Sequence, residues 1–508
     1  MGQCLGRKNK EIRQKVASNP PRLYNIAMTK KYYLTTTAPY VNSAPHIGFA
    51  LEIIQADVLA RYHKMLGEDV FFNTGTDEHG KKIYEKAIEA GKDAQDYVDE
   101  YAAKFDNLKK ALNLSYNSFW RSTNPEHIKA AQEMWHRVDA AGFIKKGIYK
   151  AKYCVGCELE KQDSELVDGK CPLHPNKEIE LIEEENYFFK FSKLADKLIK
   201  HYEKFPDFVI PAHRQKEIRN FVEAGLNDFS VSRVKEKMPW GVPVPNDEKQ
   251  VMYVWFDALT YYISALGWPE NEKKFTEFWG TTEKPNAIQV AGKDNLRQQT
   301  AMWQAMLIAA GLPPSRQILI HGFINSNGQK MSKSLGNVID PLEYVERYST
   351  DALRYYLLAK VNPTEDSDFT KEKFEDAFNG ELANGLGNLV SRIAKLAENS
   401  RFEFSNTDSL QKTSDEEWAK ALEDYRFDIA LQSIWLDISI VDQHMNHNTP
   451  WLEKDKSKLK DILQSEIDDL RKIAFRLRPF LPETAEKIEK QFKGPKIKSE
   501  APLFPRLK

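Results

Sequence analysis

The sequence predicts an α/β protein in which a parallel sheet is split by a long insertion and followed by a helical region. Three observations predict it. Short apolar runs ending at glycine or at polar clusters alternate with helix-period segments, in two groups far apart in the chain. Between the groups lie three of the four cysteines, within residues 154–171. From about residue 370 the apolar spacing is helical almost to the end.

Residues 32–37 are β-branched and aromatic and stop at Ala38-Pro39. Beyond Gly48, Leu51, Ile54, Val58, Leu59 and Tyr62 recur at helical spacing, giving strand, loop, helix. Residues 70–74 predict a second strand that breaks at Gly75. Residues 287–291 and 317–320 repeat the pattern, ending at Gly292 and Gly322 with a helical segment between them. Such runs read as buried parallel strands in βαβ units. Ligands bind beyond the carboxyl ends of such strands, and polar clusters stand there: Pro45-His46, Asp77-Glu78-His79, Gly292-Lys293-Asp294 and His321-Gly322. In the helical region Leu382, Leu386, Leu389, Ile393 and Leu396 mark one face. The expected divisions are an N-terminal extension (1–28), the first half of the sheet domain (29–122), the insertion (123–250), the second half (251–325), a lysine loop and the segment after it (326–384), and the helical region (385–508).

A chain of 508 residues has room for about three domains. Hydrophobic residues at 41% and charged residues at 29% exclude the disordered and membrane classes, and no apolar run approaches the ~20 residues of a membrane span. Lys plus Arg number 73 against 74 Asp plus Glu, so a polyanionic partner must be held by a local basic surface. Four cysteines do not make a disulfide framework in a chain this long, and a reducing cytoplasm is the expected compartment. The first 27 residues are polar and basic and lack the apolar core of a secretory signal. Gly6 stands where N-myristoylation wants Ser or Thr, Cys4 falls in this extension, and Met28 is an alternative start. No β-rich module follows the helical region, so a monomer is expected.

His46 and Gly48 stand where a loop enters a helix. Backbone N–H groups and the helix dipole suit phosphate there, Gly48 admits it close to the backbone, and the imidazole adds a donor. A lone His-x-Gly is more often a plain turn. The run Lys330-Met331-Ser332-Lys333-Ser334 follows the turn signal Asn327-Gly328 and so lies on an exposed loop. Its lysines can close over a triphosphate and neutralise charge that builds on the α-phosphate and on departing pyrophosphate, which favours the transition state. A solvated charged loop is the ordinary alternative. Together, at matching places in a split sheet, the two segments read as halves of one ATP site that activates a carboxylic acid.

Cys154-Val155-Gly156-Cys157 and Cys171-Pro172-Leu173-His174 form two knuckles thirteen residues apart. Three thiolates and an imidazole fill a tetrahedral Zn²⁺ site completely, which predicts a structural metal rather than one that activates water.

The two nucleotide segments resemble the signature sequences of class I aminoacyl-tRNA synthetases. Residues 330–334 match the second signature in full, whereas the first departs from His-Ile-Gly-His at Phe49. The insertion leaves no room for the editing domain of the leucine, isoleucine and valine enzymes. With its zinc knuckles it resembles the methionyl-tRNA synthetase family, and the similarity runs from about Lys30 to the C-terminus. Thr37-Ala38-Pro39-Tyr40, Thr76-Asp77-Glu78-His79-Gly80, Tyr253-Val254-Trp255-Phe256-Asp257-Ala258 and Gly292-Lys293-Asp294 carry it.

That resemblance implies a Rossmann-like catalytic sheet, a zinc-knuckle insertion and an α-helical anticodon-binding bundle. It implies that L-methionine and ATP, with Mg²⁺, give methionyl-adenylate, and that the methionyl group passes to initiator and elongator tRNA(Met). His46, Lys330 and Lys333 would be catalytic, and Gly48, Gly292 and Asp294 would join them in holding ATP. Asp77 would hold the substrate ammonium, while Ala38, Tyr40, Trp255, Ala258 and Tyr262 would line the thioether pocket. Gln298-Gln299 stands where the family has an apolar residue and a histidine, and Gln299 would take that histidine's place on the pocket wall. Asn388, Arg392 and Trp451 would read the CAU anticodon by hydrogen bonding and stacking. The rival expectation is a catalytically weak, synthetase-derived tRNA-binding protein. The cysteinyl-tRNA synthetases are disfavoured because their zinc binds the substrate thiol, and these knuckles supply all four ligands.

Overall fold

In a computed structural model of the chain, residues 30–157, 159–161, 163–332, 335–405 and 416–507 are described. The N-terminal extension with Cys4, Gly6 and Met28, and the second signature lysine Lys333, lie outside the described residues. The first apolar run forms β1 (Lys31–Thr36), buried along nearly all its length. It feeds α1 (Ile47–Met65), a helix buried on most of its surface because sheet and helices cover it from several sides. β2 (Asp69–Thr76) and β3 (Ser118–Arg121) complete the first half. The second half is β5 (Ala287–Gly292) and β6 (Gln317–His321), both fully buried. All pair in parallel in the order β3-β2-β1-β5-β6, with β4 (Val209–Ile210) at the far edge. The halves therefore meet at β1 and β5, where Thr36 lies opposite Val290.

Two details differ from the sequence reading. β2 does not break at Gly75 but continues to Thr76, with Gly75 opposite Trp120. A Cβ there would lie 1.6 Å from the Trp120 carbonyl oxygen, so the glycine serves close strand approach and not a turn. The segment read wholly as insertion also donates β4 to the main sheet. A two-residue strand is too short to leave a periodic signal.

Within the insertion, residues Ile144–Cys154 pair antiparallel with Glu180–Phe189, and the cysteine knuckles cap the far end of this ribbon. The C-terminal region is built from long helices, among them Asn388–Ser400, Phe427–Asn448, Lys456–Leu477 and Pro482–Gln491. The expected leucine face is inward: Leu382, Leu386, Leu389 and Ile393 are buried and Leu396 packs beside them.

One fully buried guanidinium joins the two parts. Arg354 pairs with Asp57 of α1 at 2.8 Å and donates to the carbonyls of Phe480 (2.7 Å), Pro479 (3.0 Å) and Leu112 (3.2 Å). Arg61 also grips Asp57, at 2.7 Å, and the Ser115 amide donates to it at 2.6 Å. Among the described residues no helix is long and apolar enough to cross a membrane.

Candidate active site and metal centre

At the head of α1, the His46 imidazole Nδ1 accepts from the Gly48 amide at 3.1 Å. A Cβ on residue 48 would come within 2.9 Å of that ring, so glycine is what lets the imidazole fold over the first turn. His46 is exposed, whereas Phe49 packs in the core, edge-on to Phe105 at 5.4 Å. Lys330 ends a short hairpin in which Ile324–Ser326 pairs antiparallel with Gln329–Lys330. Asn327 and Gly328 both have positive φ at its turn, the geometry that the Asn-Gly pair favours. Asn337 fastens the loop after it, accepting from the Ser332 amide at 2.8 Å and donating to the Lys330 carbonyl at 3.2 Å. The Ile47 amide then donates to the Ile339 carbonyl at 3.0 Å, so the first signature is tied main chain to main chain to the loop that follows the second.

Between them, at the strand ends, lies a network that sequence reasoning located only in part. Glu52 of α1 accepts from the Thr37 amide (2.8 Å) and hydroxyl (2.5 Å), and meets His321 Nε2 at 3.1 Å. His321 Nδ1 donates to the Gly322 carbonyl at 2.8 Å. Burial alone would lower this imidazole, but the Glu52 carboxylate and that carbonyl outweigh it and raise it above its ordinary value. His321 was visible as a strand-end cluster. Glu52 was not, and its one signal is a carboxylate among the apolar residues of the helix's first two turns. Gly292 has no space for a side chain, since a Cβ would lie 2.7 Å from Asp294 Oδ1. Asp294 itself is exposed at the crevice, and Lys293 is held by Asp366 at 2.7 Å.

Asp77 and Tyr40 are brought together by a parallel bridge: the Asp77 amide donates to Pro39 and the Val41 amide to Asp77. On another wall, Gln299 donates to the Tyr262 hydroxyl and accepts from Gln289 at 3.2 Å. Tyr262 is anchored further by Tyr33, whose hydroxyl donates to its carbonyl at 2.6 Å, and by Trp303, 5.8 Å away ring to ring. Ala38 packs against the same cluster. Ala258 is buried and Trp255 half-buried. The indole N–H of Trp255 is covered yet has no hydrogen-bond partner among the described residues. Gln298 and Gln299 open a π-helical turn, Gln298–Met302.

The four predicted metal ligands converge. Donor atoms of Cys154, Cys157, Cys171 and His174 all lie within 4.8 Å of one another, with Cys157 Sγ 3.2 Å from His174 Nδ1 and 3.5 Å from Cys171 Sγ. Bonds of about 2.3 Å to a tetrahedral ion would place sulfurs about 3.8 Å apart, so the set fits such a cation. Gly156 is required here too, because a Cβ would meet the His174 ring at 2.4 Å.

In the helical region, the Arg392 guanidinium lies 5.6 Å over the Trp451 ring, pairs with Asp442 and donates to Asn446 at 3.0 Å. Trp451 is 48% exposed, and Asn388 is exposed one turn before Arg392.

Comparisons with known proteins agree with this arrangement. The family model described as tRNA synthetases class I (M) matches residues 32–181 and 173–394. The methionine–tRNA ligase of Thermotoga maritima is 40% identical over 476 residues, spanning 90% of this chain and 74% of that one. The chain belongs to the methionine–tRNA ligase family. The family enzyme of Nostoc sp. is 39% identical over 91% of this chain and 90% of its own. Among solved structures, Mycobacterium tuberculosis methionyl-tRNA synthetase in complex with methionyl-adenylate superposes with a TM-score of 0.87 at 33% identity, covering 94% of this chain and all of that one.

Proposed function

We propose that the crevice at the ends of β1 and β5 activates L-methionine with ATP and that the chain then charges initiator and elongator tRNA(Met). Membership of the methionine–tRNA ligase family supports the activity, and the Ile47–Ile339 backbone bond, which ties the first signature to the loop after Lys330-Met331-Ser332, is the observation that supports the site. The methionine carboxylate attacks the α-phosphorus in line and pyrophosphate leaves, so no protein nucleophile is needed. His46 and the α1 amides face the phosphates. Lys330 and Lys333 offset charge as it develops on the α-phosphate and pyrophosphate, and Gly48, Gly292 and Asp294 seat the nucleotide. These residues would act with Mg²⁺ bound to ATP, which would supply further charge neutralisation. Asp77 holds the ammonium. Ala38, Tyr40, Trp255, Ala258, Tyr262 and Gln299 enclose the thioether, a polarizable group that gains from aromatic neighbours. Cys154, Cys157, Cys171 and His174 hold one structural Zn²⁺, whose bonding fixes the end of the insertion. Thiols gathered this way stay reduced in a cytoplasmic compartment. Asn388, Arg392 and Trp451 meet the anticodon loop, the half-exposed indole offering a stacking face.

The rival reading, a catalytically weak tRNA-binding protein, is motivated by Phe49 and by Gln298-Gln299; Phe49 packs in the core against Phe105, Gln299 is hydrogen-bonded to Tyr262 and Gln289, and family membership does not favour that reading. ATP–pyrophosphate exchange measured with each of the twenty amino acids tests the proposal. Methionine is expected to stimulate exchange above all others, and failure to do so sinks the specificity. Metal analysis is expected to return one zinc per chain, and sedimentation a monomer.

A further inference from the structure

Three ionisable groups beside the amino-acid pocket are buried together and have no part in the chemistry described above. Asp257 lies on Val254–Ala258, the short helix that carries Trp255 and Ala258. Its carboxylate is fully buried and shared: Oδ2 meets His79 Nδ1 at 2.6 Å and Oδ1 meets His127 Nε2 at 2.7 Å. His79 belongs to the loop that follows β2 and stands two residues beyond Asp77. His127 lies on Pro125–Ala140, and its Nδ1 meets the Ser264 hydroxyl at 2.9 Å, which also accepts from the Trp120 indole at 2.9 Å. Ser264 closes the helix Tyr261–Ser264 that bears Tyr262.

An unpaired buried carboxylate would cost several kcal/mol, so the three groups stay together or the ion is lost. Glu78, on the other side of Asp77, is held separately by Arg121 at 2.7 and 2.9 Å and by the Trp240 indole, which donates to its carbonyl at 2.6 Å. Asp77 is thus presented between two anchors, and only the His79 anchor reaches the helix of Trp255 and Ala258.

We infer that Asp257 is a positioning residue for methionine: by bridging His79 and His127 it locks the Asp77 loop to the Trp255–Tyr262 wall, fixing the span between the ammonium and thioether subsites. The inference rests on the reading of Asp77 and that wall as the amino-acid pocket. It assigns Asp257 no contact with substrate. The ATP half of the crevice, built from α1 and the lysine hairpin, does not depend on this bridge.

Methionine-dependent ATP–pyrophosphate exchange by the full chain tests it. Asp257→Asn is expected to raise KM for methionine about tenfold or more, the equivalent of one or two charge-assisted hydrogen bonds, with KM for ATP held within about twofold. His127→Leu removes one arm and should act in the same direction. His127→Gln keeps a donor near the Nε2 position and should restore methionine KM to within about threefold of the parent. An unchanged methionine KM in Asp257→Asn, equal shifts for methionine and ATP, or a Gln variant as impaired as the Leu variant each overturns the inference. If Asp257→Asn does not fold, the His127 pair decides. Asp77→Asn, run alongside, separates the failures: if it leaves methionine KM unchanged, the pocket reading has failed rather than the bridge.

Discussion

The crevice and the joint to the helical region both bury carboxylates, but they pair them with different groups, imidazoles in one and guanidiniums in the other. In the crevice, Glu52 meets His321 and Asp257 meets His79 and His127. At the joint, Asp57 meets Arg354 and Arg61. A guanidinium keeps its charge at every relevant pH, whereas an imidazole near its titration range can change it. The joint is therefore a fixed connection, and the crevice has one, Glu52 with His321, that responds to pH. Burial would raise each aspartate, but the groups beside it win in both: Arg354 and Arg61 hold Asp57 below its ordinary value, and the contacts with His79 and His127 bring Asp257 down to about 2.

Arg354→Leu should break the joint most visibly. Leaving Asp57 buried with Arg61 as its remaining ion-pair partner among the described residues should cost about 3–5 kcal/mol in urea unfolding. A cost below about 1 kcal/mol would falsify the view that this guanidinium carries the connection. Trp451→Ala sharpens the contrast from the far side. Loss of one stacked base should lower kcat/KM for tRNA charging by about 1–3 kcal/mol while pyrophosphate exchange without tRNA is unchanged. An equal fall in both assays would mean that the indole supports the fold and does not face RNA.

Glu52→Gln probes the titratable side and should have the smallest effect, about 1–2 kcal/mol. Because the folded His321 value is raised above the ordinary 6.5, the stability it contributes is fully present below about 6.5 and disappears as pH climbs through the folded value. The gap between parent and variant should hence be wider at about pH 6 than at about pH 9. A gap that does not depend on pH would place His321 with the fixed pairs.

How much of this could be read beforehand depended on whether a signal was local. Four of the six strands of the main sheet announced themselves, because buried parallel strands are apolar runs with polar residues at their ends, whereas the half-buried Ser118–Arg121 and the short Val209–Ile210 did not. The metal ligands were legible because their spacing is itself the geometry. Val209–Ile210 left no period to detect. Glu52, His127 and Arg354 were hidden for another reason: each is a polar residue inside a helix, and only the distant partner explains it. The role of Gly75 was misread because a strand glycine and a strand-ending glycine look alike until the neighbouring strand is in place. Phe49, which reads as a defect in a signature, is in the structure a core residue.

The bond from the Ile47 amide to the Ile339 carbonyl has a mutational consequence. It uses no side-chain atom, so the coupling does not depend on which side chains stand at 47 and 339, although Ile47 is fully buried in the core and Ile339 packs against it. Residue 47 is also the first position of its helix, where proline is tolerated. Ile47→Pro would delete the donor and keep the helix, a way to uncouple the two halves that the side chains themselves do not offer.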